Sequence, residues 1–211
     1  MGEWPAAGVV YTGGSFFGTT YFNYSGGCGS VYELSPPTAG SSAWIGTEIY
    51  SFVNGGGCNP AESVTVGPGG VLYGTTIGGP GNVFQLTPPA TAGGAWVETA
   101  IYNFTGTNGD GAEPAASVVM GKNGILYGTT AGGGTGSCNL YGYPGCGTLY
   151  QLTPPTSPGG TWTETILHSF TGQNGDGAQP GPLTLAPNGI IFGSTWSGGT
   201  AGTGSIFALK P

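Results

Sequence analysis

Two loops place a carboxylate in the same setting: T-N-G-D-G-A-E-P at 107–114 and Q-N-G-D-G-A-Q-P at 173–180. Asp110 and Asp176, with Asn108 and Asn174, are oxygen donors of the kind Ca²⁺ takes. Each loop offers a single carboxylate where Ca²⁺ wants about six to eight oxygens, and Asn-Gly and Asp-Gly are also ordinary turn dipeptides. A glycosidase pair would need its carboxylates about 5–9 Å apart across a sugar. Asp110 and Asp176 occupy equivalent places in successive copies of one motif, which predicts an architectural role and neighbouring corners too far apart for that chemistry. No cofactor is expected, with calcium as the alternative.

His168 has the chemistry of a general base. It aligns with Tyr50 and Tyr102, however, which predicts an aromatic position between repeats. No nucleophile elbow, phosphate loop or dinucleotide fingerprint occurs. Glu98 and Glu164 align with each other; alternation puts them on the same face as a nearby tryptophan, whereas a strand-edge position would leave them in water. Four cysteines, Cys28, Cys58, Cys138 and Cys146, allow three pairings. Zinc is disfavoured, because there is one histidine and no C-x-x-C.

These residues sit inside an internal repeat, the feature that decides the fold. The phrase I-L-Y-G-T-T at 125–130 returns as V-L-Y-G-T-T at 71–76, S-F-F-G-T-T at 15–20 and I-I-F-G-S-T at 190–195. Each copy opens at a G-x-x-P corner ending at Pro5, Pro60, Pro114 or Pro180. A first strand (A) follows, then a tight turn and the L-Y-G-T-T strand (B). A glycine-rich loop leads to strand C, such as N-V-F-Q-L-T-P-P, whose prolines end ladder pairing. Strand D carries a tryptophan eight residues before a phenylalanine: Trp44 and Phe52, Trp96 and Phe104, Trp162 and Phe170. Period 2 fits these segments and no amphipathic helix does.

The predicted fold is all-β: a β-propeller of four repeats with four antiparallel strands each, the last repeat lacking its final strand, over a single domain 1–211. The repeats run approximately 2–56, 57–110, 111–176 and 177–211. A twisted four-stranded sheet cannot bury both faces alone, so neighbours stack radially. Three outcomes follow for the short fourth copy: closure by a three-stranded blade, membership of a larger propeller, or contacts from a second molecule in a ring or filament.

Up-and-down counting puts the B–C and D–A loops on one face. Cys28 and Cys58 lie in two such loops and Cys138 and Cys146 bracket a third, so Cys28–Cys58 and Cys138–Cys146 are the expected bridges among the three connectivities. The same face is expected to present Tyr21, Tyr24, Tyr141, Tyr143 and Trp196 to a glycan or protein partner, as a non-enzymatic binding or structural module, with a self-assembling subunit and a carbohydrate-active enzyme as the alternatives.

Composition narrows the class further. The chain has 47 Gly and 17 Pro, a level that would suggest disorder, but 25 aromatic residues and only 5% charged residues argue for turns between apolar strands. A net charge of −7 with two cations excludes a basic nucleic-acid surface. No apolar run is long enough to span a membrane as a helix. The start M-G-E-W-P-A-A-G-V-V has neither the basic nor the apolar region of a signal peptide, so secretion would imply a removed leader or another route. The sparsely charged, Gly/Thr/Asn/Tyr-rich chain suits an extracellular or cell-surface location.

Taken together, E-T-I-L-H-S-F-T-G-Q-N-G-D-G-A-Q-P, N-G-I-L-Y-G-T-T followed by glycines, and G-T-L-Y-Q-L-T-P resemble the tandem repeat of the GloVer (Gloeobacter–Verrucomicrobium) proteins, over essentially the whole chain. The resemblance implies bacterial, secreted or surface-anchored, propeller-like proteins, with no catalytic residues to carry over. The chain differs in having four copies, no anchor segment and cysteines in its loops.

Overall fold

The structure is a computed structural model, and it describes residues 3–5, 7–22, 27–53, 57–91, 93–114, 116–140, 142–157 and 159–211. Tyr24 and Tyr141 lie outside the described residues. Helical structure among the described residues is confined to two 3₁₀ turns, Pro68–Gly70 and Lys122–Gly124, which join strands A and B.

The first blade contains β1 (Glu3–Pro5), β2 (Val10–Thr12), β3 (Ser15–Phe22), β4 (Ser30–Ser35) and β5 (Ile45–Ser51), with β1 and β2 both on β3. The second is β6 (Thr65–Val66), β7 (Leu72–Thr76), β8 (Asn82–Thr87) and β9 (Val97–Asn103), paired in that order. In the third repeat, β10 (Gly111–Ala112) pairs with β13 (Gly132–Gly133), and β14 (Asn139–Leu140) with β15 (Tyr143–Pro144). Its blade proper is β11 (Val119–Met120), β12 (Leu126–Thr130), β16 (Thr148–Thr153) and β17 (Thr163–Ser169). The fourth has three strands: β18 (Gly177–Leu185), β19 (Ile191–Gly198) and β20 (Ile206–Leu209). The fold is thus an all-β propeller arrangement of four antiparallel blades.

The repeated L-Y-G-T-T phrase has a packing cause. A Cβ on Gly74 would stand 2.4 Å from Phe84 Cζ, and one on Gly128 2.3 Å from the Tyr150 hydroxyl. The glycine makes room for the ring of the neighbouring C strand, which lies across it on the side of the preceding blade.

Three apolar clusters fill three seams. Phe17 and Val31 meet Val64, Phe84 and Leu86 between the first and second blades. Tyr73, Val83 and Phe104 meet Val118, Tyr150 and Leu152 in the next seam. Tyr127, Leu149 and Phe170 meet Leu183 and Phe207 in the third. Full burial of one such side chain contributes about 1.5–3 kcal/mol. No core cluster among the described residues joins the fourth blade to the first.

Each C–D ladder carries a register shift, for example Leu149 opposite His168 but Tyr150 opposite Ile166. Leu167 is the extra residue, and a bulge of this kind turns the strand over. This corrects simple alternation along strand D: Trp162, Glu164 and Ile166 face the preceding blade, whereas His168 and Phe170 face the following one. One D strand therefore reaches both neighbours.

The corners also cross seams. Asn59, Glu113 and Gln179, each just before the corner proline, have φ of 61°, 57° and 56°. Their N–H groups donate to Cys28 O, Pro80 O and Cys146 O of the preceding blade at 2.8, 2.9 and 2.9 Å. The proline then lies over a glycine of that same loop. A Cβ on Gly29, Gly81 or Gly147 would come within 2.8, 2.3 or 2.6 Å of Cδ of Pro60, Pro114 or Pro180.

Candidate functional site

Asp110 and Asp176 are held by their own turns. Asp110 Oδ2 accepts the Thr105 N–H and hydroxyl at 2.7 Å each, and Oδ1 accepts the Gly111 N–H at 2.7 Å. Asp176 repeats this with Thr171 and Gly177. Burial opposes the Asp176 charge, but hydrogen bonds from Thr171 and His168 outweigh it and hold the carboxyl below its ordinary value. Asn108 and Asn174 sit at φ of 56° and 54°, the left-handed turn conformation asparagine tolerates. These four residues build turns. Among the described residues, no group of three or more His, Cys, Asp or Glu stands together.

Cys28 is bonded to Cys58 and Cys138 to Cys146. The first bond ties a B–C loop to the corner of the next blade, beside the Asn59–Cys28 backbone hydrogen bond. Two disulfides suit an oxidising compartment. No helix is long and apolar enough to cross a membrane among the described residues.

The expected aromatic loop face takes a different form. Tyr21 is half-buried and meets Phe22 edge-on at 4.7 Å. Tyr143 is half-buried over Gly106, where a Cβ would stand 2.3 Å from its Cδ1. Trp196 is not in a loop: it lies in β19, and it is 80% exposed. Tyr21 and Tyr143 belong to different repeats, Tyr21 in β3 and Tyr143 in β15.

His168 stacks edge-on to Phe170 at 4.7 Å and its Nε2 stands 3.2 Å from Asp176 Oδ1. At the seam before it, Tyr102 makes the corresponding contacts and more. Its hydroxyl lies 2.8 Å from Glu164 Oε2 and 3.3 Å from Asp110 Oδ1. Burial, with help from Asp110 and against the Tyr102 hydrogen bond, lifts Glu164 to about 7. Glu98 is likewise raised by burial while hydrogen-bonded to Tyr50. Two carboxylates converging on one hydroxyl have the ingredients of acid–base chemistry. This group bridges the second and third blades.

The distinctive surfaces lie at the two ends of the arc. Ile206 is 87% exposed, whereas its counterparts Val31, Val83 and Leu149 are 0% exposed. Phe192 is also exposed, although Phe17, Tyr73 and Tyr127 at the same repeat position are buried. At the other end, Val9 is exposed where Val64, Val118 and Leu183 are buried. Tyr11, Phe16 and Trp44 form a continuous stack there, with ring centroids 5.1 and 5.3 Å apart. Counting charges and loop aromatics along the sequence missed these faces; the repeat alignment held the signal, since seam positions in the outer copies are as apolar as those inside.

No protein-family model matches the chain, and no curated protein matches it. Solved structures share its architecture. A candidate 6-phosphogluconolactonase from Bacteroides uniformis aligns at TM-score 0.54 and 15% identity, over 98% of this chain and 53% of that one. A glycoside hydrolase family 43 arabinoxylan arabinofuranohydrolase from Bacillus subtilis aligns at TM-score 0.45 and 18% identity, over 97% of this chain and 46% of that one. A family 43 protein from Bacillus licheniformis aligns at TM-score 0.44 and 19% identity, over 88% of this chain and 35% of that one. The chain thus spans about half or less of each, and the likeness concerns the fold alone.

Proposed function

We propose that the chain is a non-enzymatic, extracellular propeller module of GloVer-like type that works by association: the fourth blade of one copy joins the first blade of another, and two arcs close one ring. The exposure of Ile206, against complete burial of Val31, Val83 and Leu149, carries this reading. The internal seams supply the docking geometry. Trp96 sits on Phe17 at 6.0 Å, so Trp44 of a second copy meets Phe192. Pro60, Pro114 and Pro180 lie over loop glycines, so a second Pro5 lies over Gly204, which has φ of 97°. Trp4, at φ of 59°, already has the corner conformation of Asn59, Glu113 and Gln179. Val9 and Tyr11 then cover Ile206.

A heterologous contact repeated by a two-fold closes without open ends. The product has eight blades, within the ordinary range for propellers. The two disulfides and the sparse charge favour an extracellular setting for it.

Light scattering on the eluting peak of a gel-filtration column tests the proposal. The expected mass is twice that of the chain. Ile206→Asp and, separately, Tyr11→Asp each return the monomer with an unchanged circular dichroism spectrum. A monomer at every concentration up to about 1 mM, or a dimer that survives both substitutions, overturns it.

A further inference from the structure

The two completed seams define what a D strand does to the blade before it. Trp96 packs on Phe17 and Trp162 on Tyr73, each at 6.0 Å. Two residues later, Glu98 reaches Tyr50 and Glu164 reaches Tyr102. The next receivers in the series are Tyr127 and His168. Among the described residues β20 is the last strand paired in the fourth blade, and no strand occupies the position facing them.

A groove of about 480 Å³ marks that position, lined by Tyr127, Ile125, Met120, Leu185, Lys122 and Lys210. A second hollow of about 200 Å³ adjoins β20, between His168, Phe170 and Phe207. These are the chain's only two lysines and its only histidine, in a protein of net charge −7. All its cationic groups other than the N-terminus therefore border one vacant strand position.

We infer that this rim is a strand-acceptor site for an extended, acidic segment of another polypeptide, bearing a tryptophan followed two residues later by a glutamate. The segment adds antiparallel to Ile206–Leu209, which among the described residues pairs only with β19. Its backbone completes the blade, its tryptophan fills the groove over Tyr127, and its carboxylate reaches His168. Main-chain pairing supplies affinity and the two side-chain receivers supply specificity. Lys122 and Lys210 select against basic segments. The rim edge and the end faces are separate surfaces, so this site does not depend on ring closure.

The probe is a capped synthetic peptide, G-T-W-T-E-T-I-L-H-S-F-T, the sequence of residues 160–171. It is titrated into the whole chain by fluorescence anisotropy, with amide hydrogen exchange as the structural readout. Binding is expected to saturate and to slow exchange at Ile206–Lys210. Trp162→Ala in the peptide weakens it at least about tenfold. Charge reversal by Lys122→Glu with Lys210→Glu, both exposed side chains, weakens it about tenfold, and salt weakens binding to the native chain more than to this variant. No saturation up to about 1 mM, protection at another edge, or insensitivity to both changes overturns the site. Peptide binding to a monomer would leave this site standing while removing the ring; a dimer blind to the peptide would do the reverse.

Discussion

The Tyr102 hydroxyl donates to Glu164 Oε2 at 2.8 Å across the seam between the second and third blades, although 62 residues separate the two in the chain. Both groups pay a desolvation penalty there: burial raises the phenol of Tyr102 and the carboxyl of Glu164. Among the described residues, Glu164 Oε1 has no hydrogen-bond partner. The seam thus holds an ionisable pair beside its apolar cluster and the hydrogen bonds from Thr75 and Ser117, and its effect on stability depends on protonation.

Tyr102→Phe removes the donor and leaves an ionised, half-buried carboxylate with less support. The expected loss is about 1–2 kcal/mol at pH 8, and smaller near pH 4.5, where Glu164 is protonated. Urea denaturation at the two pH values measures both.

Glu164→Gln isolates the ionisation. Burial lifts the folded carboxyl from 4.5 to about 7, so between these values the folded chain holds a proton that the unfolded chain has released. The stability this confers is full below pH 4.5 and is lost as pH rises through about 7. The variant's melting temperature is expected to vary less than the native one over that interval, as followed by circular dichroism.

Asp176 works in the opposite sense. Its folded value is depressed by Thr171 and His168 against the effect of burial, so its contribution exists above its ordinary 3.8 and is lost as pH falls through the lower folded value. Asp176→Asn is expected to lower the melting temperature at pH 7. The gap to the native chain narrows in acid, and a gap independent of pH would refute the assignment.

Gly147→Ala tests the corner clasp. The new methyl would meet Pro180 Cδ at 2.6 Å and Thr130 O at 2.3 Å, at φ of 96°. A cost of at least about 2–3 kcal/mol is expected. Gly159→Ala has a comparably positive φ of 75° with nothing within 4 Å, and serves as the control that separates the contact from backbone strain.

Removing the Cys28–Cys58 bond by double serine substitution should cost about 1 kcal/mol more than removing Cys138–Cys146, because the closed loops span 30 and 8 residues. Guanidinium denaturation of the two double variants gives the difference directly.

Much of this architecture was legible in the sequence. The L-Y-G-T-T phrase, the double prolines and the Trp-to-Phe spacing mark strand, stop and seam because each reports a contact repeated in every copy. The D-strand faces were not legible. The bulge at Leu167 inserts one residue, so Trp162 and Phe170 point to opposite neighbours despite an even spacing. Alternation put Glu98 and Glu164 on the tryptophan face correctly, because the bulge comes after them; that they are buried there depends on the docking of the preceding blade. Trp196 was misread as a loop residue because β19 continues past its L-Y-G-T-T-like core to pair with the corner at Gly177–Ala178. The turn role of Asp110 was readable from Asn-Gly and Asp-Gly; its approach to Tyr102, eight residues earlier, follows the bulge that turns the end of that D strand, and the meeting of Tyr102 with Glu164 depends on how two blades dock.

Pro60, Pro114 and Pro180 each lie over a glycine of the preceding copy, so none of these three clasps is closed within a single copy. A recombination event that duplicates or excises one whole copy would regenerate each clasp at the new junction, whereas loss of a fraction of a copy would strand a proline without its glycine. Arcs that differ by one whole copy would therefore keep every junction of the same kind.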